Sequence, residues 1–417
     1  MRDIFIFLAL IFATPVLANA NQATVVSQWV QLNAGGAAQA RVAVNGSDCP
    51  AIVIDGRASP MHLRAPEDNA FSVRVCSAPI PAGVKAASVE GQNLPLPAAA
   101  PQRIVVFGDT GCRIKGLSVQ DCNDPAKWPF PQITAEAART NPDLVLHVGD
   151  YLYRESPCPP TAKGCAGSPS GDTWPSWNAD FFAPAAPLLA AAPWVFVRGN
   201  HETCPRSGAG WLRLLGPPDF DVNAKCIDHI KPYAVPLGAM NLVVMDDTQA
   251  PDETADHDLL AQYREDFASL ATIAPKPLWL AMHRPIWGAI TLDIFGMKAN
   301  GGGNRTLIAS LDPAQLAPVA LLLSGHIHTF EALNYGDGLP PQIVAGYGGD
   351  KLDSAPPDLT GLNLSGRHVK DGISLPGFGF LLLTKVGDGW TVEVHDVTGA
   401  IERTCRFAGG ALDCGVR

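Results

Sequence analysis

Five short clusters of metal-donor residues, each placed directly after an apolar run, constrain this chain more than any other feature. Residues 108–111 read GDTG, 149–153 GDYLY, 199–202 GNHE, 281–283 AMH and 325–328 GHIH. The runs before them are RIVVF, DLVLHV, PWVFV, PLWLAM and VALLLS. Apolar runs of this length, bounded by turn residues, predict strands buried on both faces. Helices are expected between them over residues 132–139, 174–191 and 256–270, so the order is strand, helix, strand. A parallel sheet of that kind brings its C-terminal strand ends to one edge, where ligands bind. The five clusters are therefore predicted to meet in space.

Glycine stands before Asp109, Asp150, Asn200 and His326, where it lets the backbone turn sharply and come close to a ligand. The donors sort by chemistry. Asp109, Asp150 and the Tyr153 phenol are hard oxygen donors; His283, His326 and His328 offer imidazole, and Asn200 a carbonyl oxygen. Two cations close together can share a carboxylate, and Asp150, in the central cluster, is the natural bridge. A phenolate donor favours a hard trivalent ion.

These motifs, in this order, resemble the purple acid phosphatase branch of the calcineurin-like metallophosphoesterases. That family's pattern is GDxG, GDxxY, GNH followed by an acidic residue, a lone His after a strand, and GHxH. The match runs roughly from residue 103 to 330. The resemblance implies a ferric site at Asp109, Asp150, Tyr153 and His328, with Asp150 bridging. It implies a divalent site (Zn, Mn or Fe) at Asp150, Asn200, His283 and His326. His201 matches the family histidine that contacts the phosphoryl group and aids the leaving group. Tyr153 is the discriminating residue, since most other metallophosphoesterases lack that phenolate.

Other cations flank the motifs and are candidates for neutralising phosphate oxygens: Lys115, Arg198, Arg284 and, beside ligands, Arg113 and Arg154. Surface cations are commonly only solvated, which is the competing reading for each. His147, inside the second strand, reads as a hydrogen-bonded core histidine. Asp246 and Asp247 end another apolar run, NLVVM, and are candidates for a supporting or rim role. The stretch KANGGGNRT from Lys298 reads as a loop at the rim of the cleft.

An apolar stretch at residues 4–17, preceded by Arg2 and followed by Ala18-Asn19-Ala20, predicts a signal peptide over residues 1–20, with a mature chain from Asn21. A secreted or periplasmic protein is expected, without a lipid or membrane anchor. Ten cysteines suit an oxidising compartment. Their connectivity is open in sequence, but spacing groups them as Cys49 with Cys76, Cys112 with Cys122, Cys158 with Cys165, Cys204 with Cys226, and Cys405 with Cys414. No paired CxxC argues for a cysteine metal site. Three of these pairs would staple the loops after Asp109, Tyr153 and His201.

Residues 21–98 alternate apolar and polar positions in ARVAV, AIVID and FSVRV, separated by turn residues, and predict a small all-β sandwich. LPLPAAAPQ is the expected linker to a catalytic domain over 102–417. The resemblance makes that domain a four-layer α/β sandwich. QIVAGYGG, FGFLLLTKV, WTVEVHDV and ERTCRFAGG are expected to complete its second sheet.

A net charge of -10 argues against nucleic-acid binding, which needs a basic face. It leaves room for a small phosphorylated substrate, because two ions and nearby arginines make a cleft locally positive. The expected activity is hydrolysis of phosphate monoesters by a metal-activated hydroxide, without a phospho-enzyme. A phosphodiesterase or nucleotidase with the same ions is the near alternative. A binding protein with a degenerate phosphatase domain is the distant one, and the complete donor set weighs against it. Oligomeric state leaves no trace in the sequence.

Overall fold

The computed structural model describes residues 24–274, 277–294, 297–336 and 338–415. The expected signal peptide lies outside them. Two large sheets pack face to face among the described residues, one of eleven strands and one of eight. The parallel strands Arg103–Phe107, Leu144–His147 and Trp194–Phe196 lie side by side in the first sheet. In the second, Met240–Val244, Leu278–Ala281, Val319–Ser324 and Gln342–Ala345 run parallel.

The apolar runs have no polar face because each strand is covered twice. Ile104, Val106, Leu144, Leu146, Val195 and Val197 point between the sheets, against Leu242, Trp279, Leu321 and Ile343. Their alternate neighbours Val105, Phe107, Val145, Trp194 and Phe196 point outward to a helical layer. That layer presents Phe130, Ile133 and Ala137 from the helix Phe130–Arg139, spaced so that one face of the helix meets the sheet. On the far side, Tyr263, Phe267 and Leu270 of the helix Leu260–Ile273 cover Val243, Leu278 and Leu280. Helix, sheet, sheet and helix make the four-layer α/β sandwich.

The expected helix over 174–191 is a chain of three pieces, Trp174–Trp177, Asn178–Phe182 and Ala183–Leu189, with a π-helical turn in the middle. A π turn inserts a residue into the helical repeat and is common at functional sites. Here it carries Asp180, whose buried carboxylate accepts from the backbone N–H of Cys112, Tyr153 and Arg154.

The N-terminal strands form two sheets around their own core of Val30, Val42, Val44, Ile52, Ile80 and Val89. The larger of these sheets is continuous with the first catalytic sheet, because Thr24–Leu32 pairs parallel to Trp194–Phe196 at Gln31 and Trp194. Buried Arg41 and Arg64 fasten it further by donating to the carbonyls of Leu214 and Gly216, and of Leu212 and Arg213, at the end of the helix Gly208–Leu214. Helix ends leave such carbonyls without internal donors, and guanidinium groups satisfy them.

Two expectations about the later chain need correction. Of the four runs expected to complete the second sheet, only Gln342–Ala345 joins it; Gly379–Val386, Gly389–Asp396 and Ile401–Ala408 extend the first, through Leu382 opposite Val105. Apolar pattern marks a strand but carries no information about which edge it joins. Met297–Gly301 is likewise a strand, paired with Ile290–Ile294 in a two-stranded ribbon, so the KANGGGNRT loop begins only after it. All five disulfides join the pairs grouped by spacing, and no cysteine is free.

Candidate metal centre

The five motif clusters converge, but from two sheets rather than along one edge. Asp109, Asp150 and Asn200 follow strands of the first sheet, and His283 and His326 follow strands of the second. The loops turn at the donor residues themselves: Asp109, Asp150 and His326 have φ of 57°, 60° and 71°. Non-glycine residues rarely adopt this left-handed conformation, and those that do cluster at functional sites. The preceding glycines mostly serve close approach. A Cβ on Gly199 would lie 2.1 Å from the Asp150 amide nitrogen, and one on Gly149, itself at φ 101°, would lie 2.4 Å from His283 Nδ1.

One group of donors centres on Tyr153, which is fully buried. Its phenol oxygen stands 3.0 Å from Asp109 Oδ1, 2.8 Å from Asp150 Oδ2 and 3.1 Å from His328 Nε2. A second group centres on His283, whose Nε2 lies 3.0 Å from Asn200 Oδ1 and 3.3 Å from Asp150 Oδ2. Donor atoms of Asp150, His283 and His326 all lie within 4.8 Å of one another. Asp150 Oδ2 thus belongs to both groups. Its other oxygen accepts from the His201 amide, and Asp109 Oδ2 accepts from the His326 amide, so both carboxylates are aimed by backbone.

The electrostatics of this cluster suit cations. Burial and the Asp109 and Asp150 carboxylates hold the Tyr153 phenol well above its ordinary pKa. Burial opposes charge on His328, yet Asp350 and Asp109 push it up to about 10; Asp150 does the same for His283, to about 9. Carboxylates and a phenol packed this tightly need positive charge among them. Ring orientation is also set. His283 Nδ1 meets the Val148 carbonyl at 2.9 Å and His328 Nδ1 the Lys351 carbonyl at 2.8 Å, turning each Nε2 toward the cluster.

His201 lines a cleft of about 820 Å³, together with Asp150, Asn200, His326 and His328. Its Nδ1 is 3.0 Å from Glu155 Oε1, its Nε2 is 3.8 Å from Asp150 Oδ2, and its ring packs 3.8 Å from that of Tyr153. Burial lowers its pKa to about 4.

The arginine candidates separate sharply. Arg113 lines the cleft, with Nε and Nη2 on Asp350 and its guanidinium 5.0 Å above the Tyr153 ring. Arg154 does not reach the cleft: it is buried, with Nε 2.6 Å from Asp180 Oδ1 and its guanidinium over Trp128. The expectation that it touches substrate fails because Asp180, in the π turn, captures it. Arg198 is also internal, donating to the carbonyls of Glu202 and Ile227. Lys115 pairs with Glu155, and Arg284 with Asp252. Arg305 and Lys351 line the cleft instead.

His147 is a core histidine, bonded to Thr110 Oγ1 and the Gly149 amide and stacked on Tyr151. Asp247 is buried rather than at the rim and accepts from the amides of His283 and Arg284; burial pushes it up to about 7. Glu202 accepts from Tyr151, Leu152 and Gly199 amides and so ties the second and third motif loops together. Sequence reading missed Asp180, Asp252, Glu155 and Asp350. Only Asp350 had a signal, the preceding Gly348 and Gly349, where a Cβ would meet the Gly108 carbonyl oxygen at 2.5 Å and the Thr110 carbonyl oxygen at 2.3 Å.

Fold and donor set together define a metal-dependent hydrolase scaffold of the kind that implies a site for two metal ions. The chain belongs to the calcineurin-like phosphoesterase family, whose model matches residues 102–330. A search of curated proteins found no significant match. Among solved structures, the fold is similar to that of the purple acid phosphatase PPD1 from yellow lupin (Lupinus luteus) seeds. The TM-score is 0.60 at 13% identity, covering 93% of this chain and 74% of that one. It is also similar to the structure of PhoD, with a TM-score of 0.55 at 12% identity, covering 96% and 93%.

Proposed function

We propose that this protein is a secreted or periplasmic phosphatase of the purple acid phosphatase branch that hydrolyses phosphate monoesters. The observation that carries the reading is the Tyr153 phenol, within 3.1 Å of Asp109, Asp150 and His328. In this reading Asp109, Asp150, Tyr153 and His328 hold a ferric ion, and Asp150, Asn200, His283 and His326 hold a divalent zinc, manganese or iron. When bound, the ions polarise a phosphoryl oxygen and acidify water.

The chain's own groups do the rest. Arg113, with two of its nitrogens fixed by Asp350, keeps Nη1 for a phosphate oxygen. His201 presents Nε2 to the phosphoryl group and the leaving oxygen, while Glu155 steadies Nδ1. Neither group has to reorganise as charge develops, which is where preorganised polar groups lower a barrier most. Five disulfides support a compartment outside the cytosol.

The test is metal analysis with a visible spectrum, followed by turnover of p-nitrophenyl phosphate and bis-p-nitrophenyl phosphate. About two metals per chain including iron, a phenolate charge-transfer band and preference for the monoester are expected. Preference for the diester would transfer the assignment to a phosphodiesterase, and metal-loaded protein inactive on both would point to a binding protein.

A further inference from the structure

We propose that Asp252, which lies in none of the motifs, is a positioning residue for one of the two ions: it fixes which nitrogen of His326 is the donor. The inference rests on the two-ion reading above and deepens it.

His326 Nε2 lies 2.9 Å from Asp252 Oδ2. Arg284 Nη1 lies 3.1 Å from the same nitrogen, so the Nε2 edge of the ring is filled by a carboxylate oxygen and a guanidinium nitrogen, and Nδ1 is the nitrogen left for an ion. The Asp252 carboxylate is fixed in space. It pairs with Arg284, whose backbone N–H is bound by Asp247, and Oδ1 accepts from Asn304 Nδ2 at 2.7 Å. Asn304 in turn caps the helix Arg305–Ser310 through the Leu307 amide and donates to the Ala250 carbonyl.

The three histidines are therefore oriented by different means. His283 and His328 turn Nε2 to the cluster because backbone carbonyls take their Nδ1. His326 has its opposite nitrogen taken, and by side chains. Removing the Asp252 carboxylate leaves the ring freer to rotate, while the Tyr153 group, which does not include His326, keeps all its contacts. Loss of a carboxylate behind a metal-bound histidine commonly weakens the metal about 10–100-fold. Here the loss is confined to one ion of the pair.

The experiment is calorimetric titration of the metal-free full chain with Zn²⁺, for wild type, Asp252→Ala and Asp252→Leu. The Asp252 side chain is 38% exposed, so neither change leaves a sealed cavity, and leucine keeps the bulk without the acceptor. Wild type is expected to bind two ions. Each variant is expected to bind one with unchanged affinity and the other about tenfold or more weaker. Two ions bound as tightly as in wild type would overturn the proposal, as would equal weakening of both. A wild-type chain that takes fewer than two ions would instead overturn the two-ion reading, and this inference with it.

Discussion

The phenol oxygen of Tyr153 lies 2.8 Å from Asp150 Oδ2, the same oxygen that stands 3.3 Å from His283 Nε2. One carboxylate oxygen therefore joins the phenol group to the imidazole group. That makes Asp150 the hinge of the proposed pair of ions.

From that relationship, Tyr153→Phe in iron-loaded protein is expected to lose the visible band completely, since the phenolate donor is gone. The ring itself stays packed against His201, so folding should change little. Absorption spectra at matched iron content decide the matter: a variant that keeps the band would exclude Tyr153 as chromophore.

Arg113 and Arg154 should behave oppositely. Arg113→Met is expected to lower kcat/KM by about 10²-fold with metal content intact, as for loss of one preorganised donor. Arg154→Met removes the charge partner of the buried Asp180 carboxylate and should cost about 3 kcal/mol of stability, with kcat/KM of the folded enzyme unchanged. Steady-state kinetics alongside urea unfolding separates the two; an Arg154 variant that is stable but inactive would contradict its placement.

His201→Ala is expected to reduce kcat by about 10²–10³-fold while leaving both proposed ions in place, because in the proposed reading its side chain meets the phosphoryl group rather than an ion. Glu155→Gln, which weakens the hold on Nδ1, should cost about tenfold. Loss of one metal from the alanine variant would reassign His201 as a ligand.

Glu331 provides a pH prediction away from the cluster. It is buried with the Ala289 N–H as its hydrogen-bond partner, and burial, aided by the charge of Asp353, pushes it up to about 8 from an ordinary 4.5. The folded state thus holds the proton more tightly than the unfolded chain. Stability is fullest below the unfolded value and falls as pH rises toward about 8, by at most about 1.4 kcal/mol per pH unit. Denaturant unfolding at about pH 5 and about pH 7.5 should show this loss in wild type and a flatter profile in Glu331→Gln. Parallel profiles would show that Glu331 does not titrate in this window.

Much of this was legible in one dimension. The ligand candidates are read directly because each sits two to six residues after a strand, and a strand buried on both faces writes itself as an unbroken apolar run, as in RIVVF and VALLLS. The cysteine pairs were legible for a related reason: each is separated by 7 to 27 residues, so chain proximity alone brings the partners near one another.

Tertiary structure decided what depends on contacts between distant segments. It placed three later strands in the first sheet instead of the second, because an edge strand's partner is set by the crossing of the chain and not by its own pattern. It took Arg154 away from the cleft and left Arg113 there, since the carboxylates that claim them, Asp180 and Asp350, lie 26 and 237 residues away. It also brought Asp252 to His326 across 74 residues. The sequence by itself determined which atoms this protein brings to its site, because donor chemistry is local. Which nitrogen, which arginine and which sheet edge are in use follows only from packing, because those choices are made by neighbours that sequence order keeps apart.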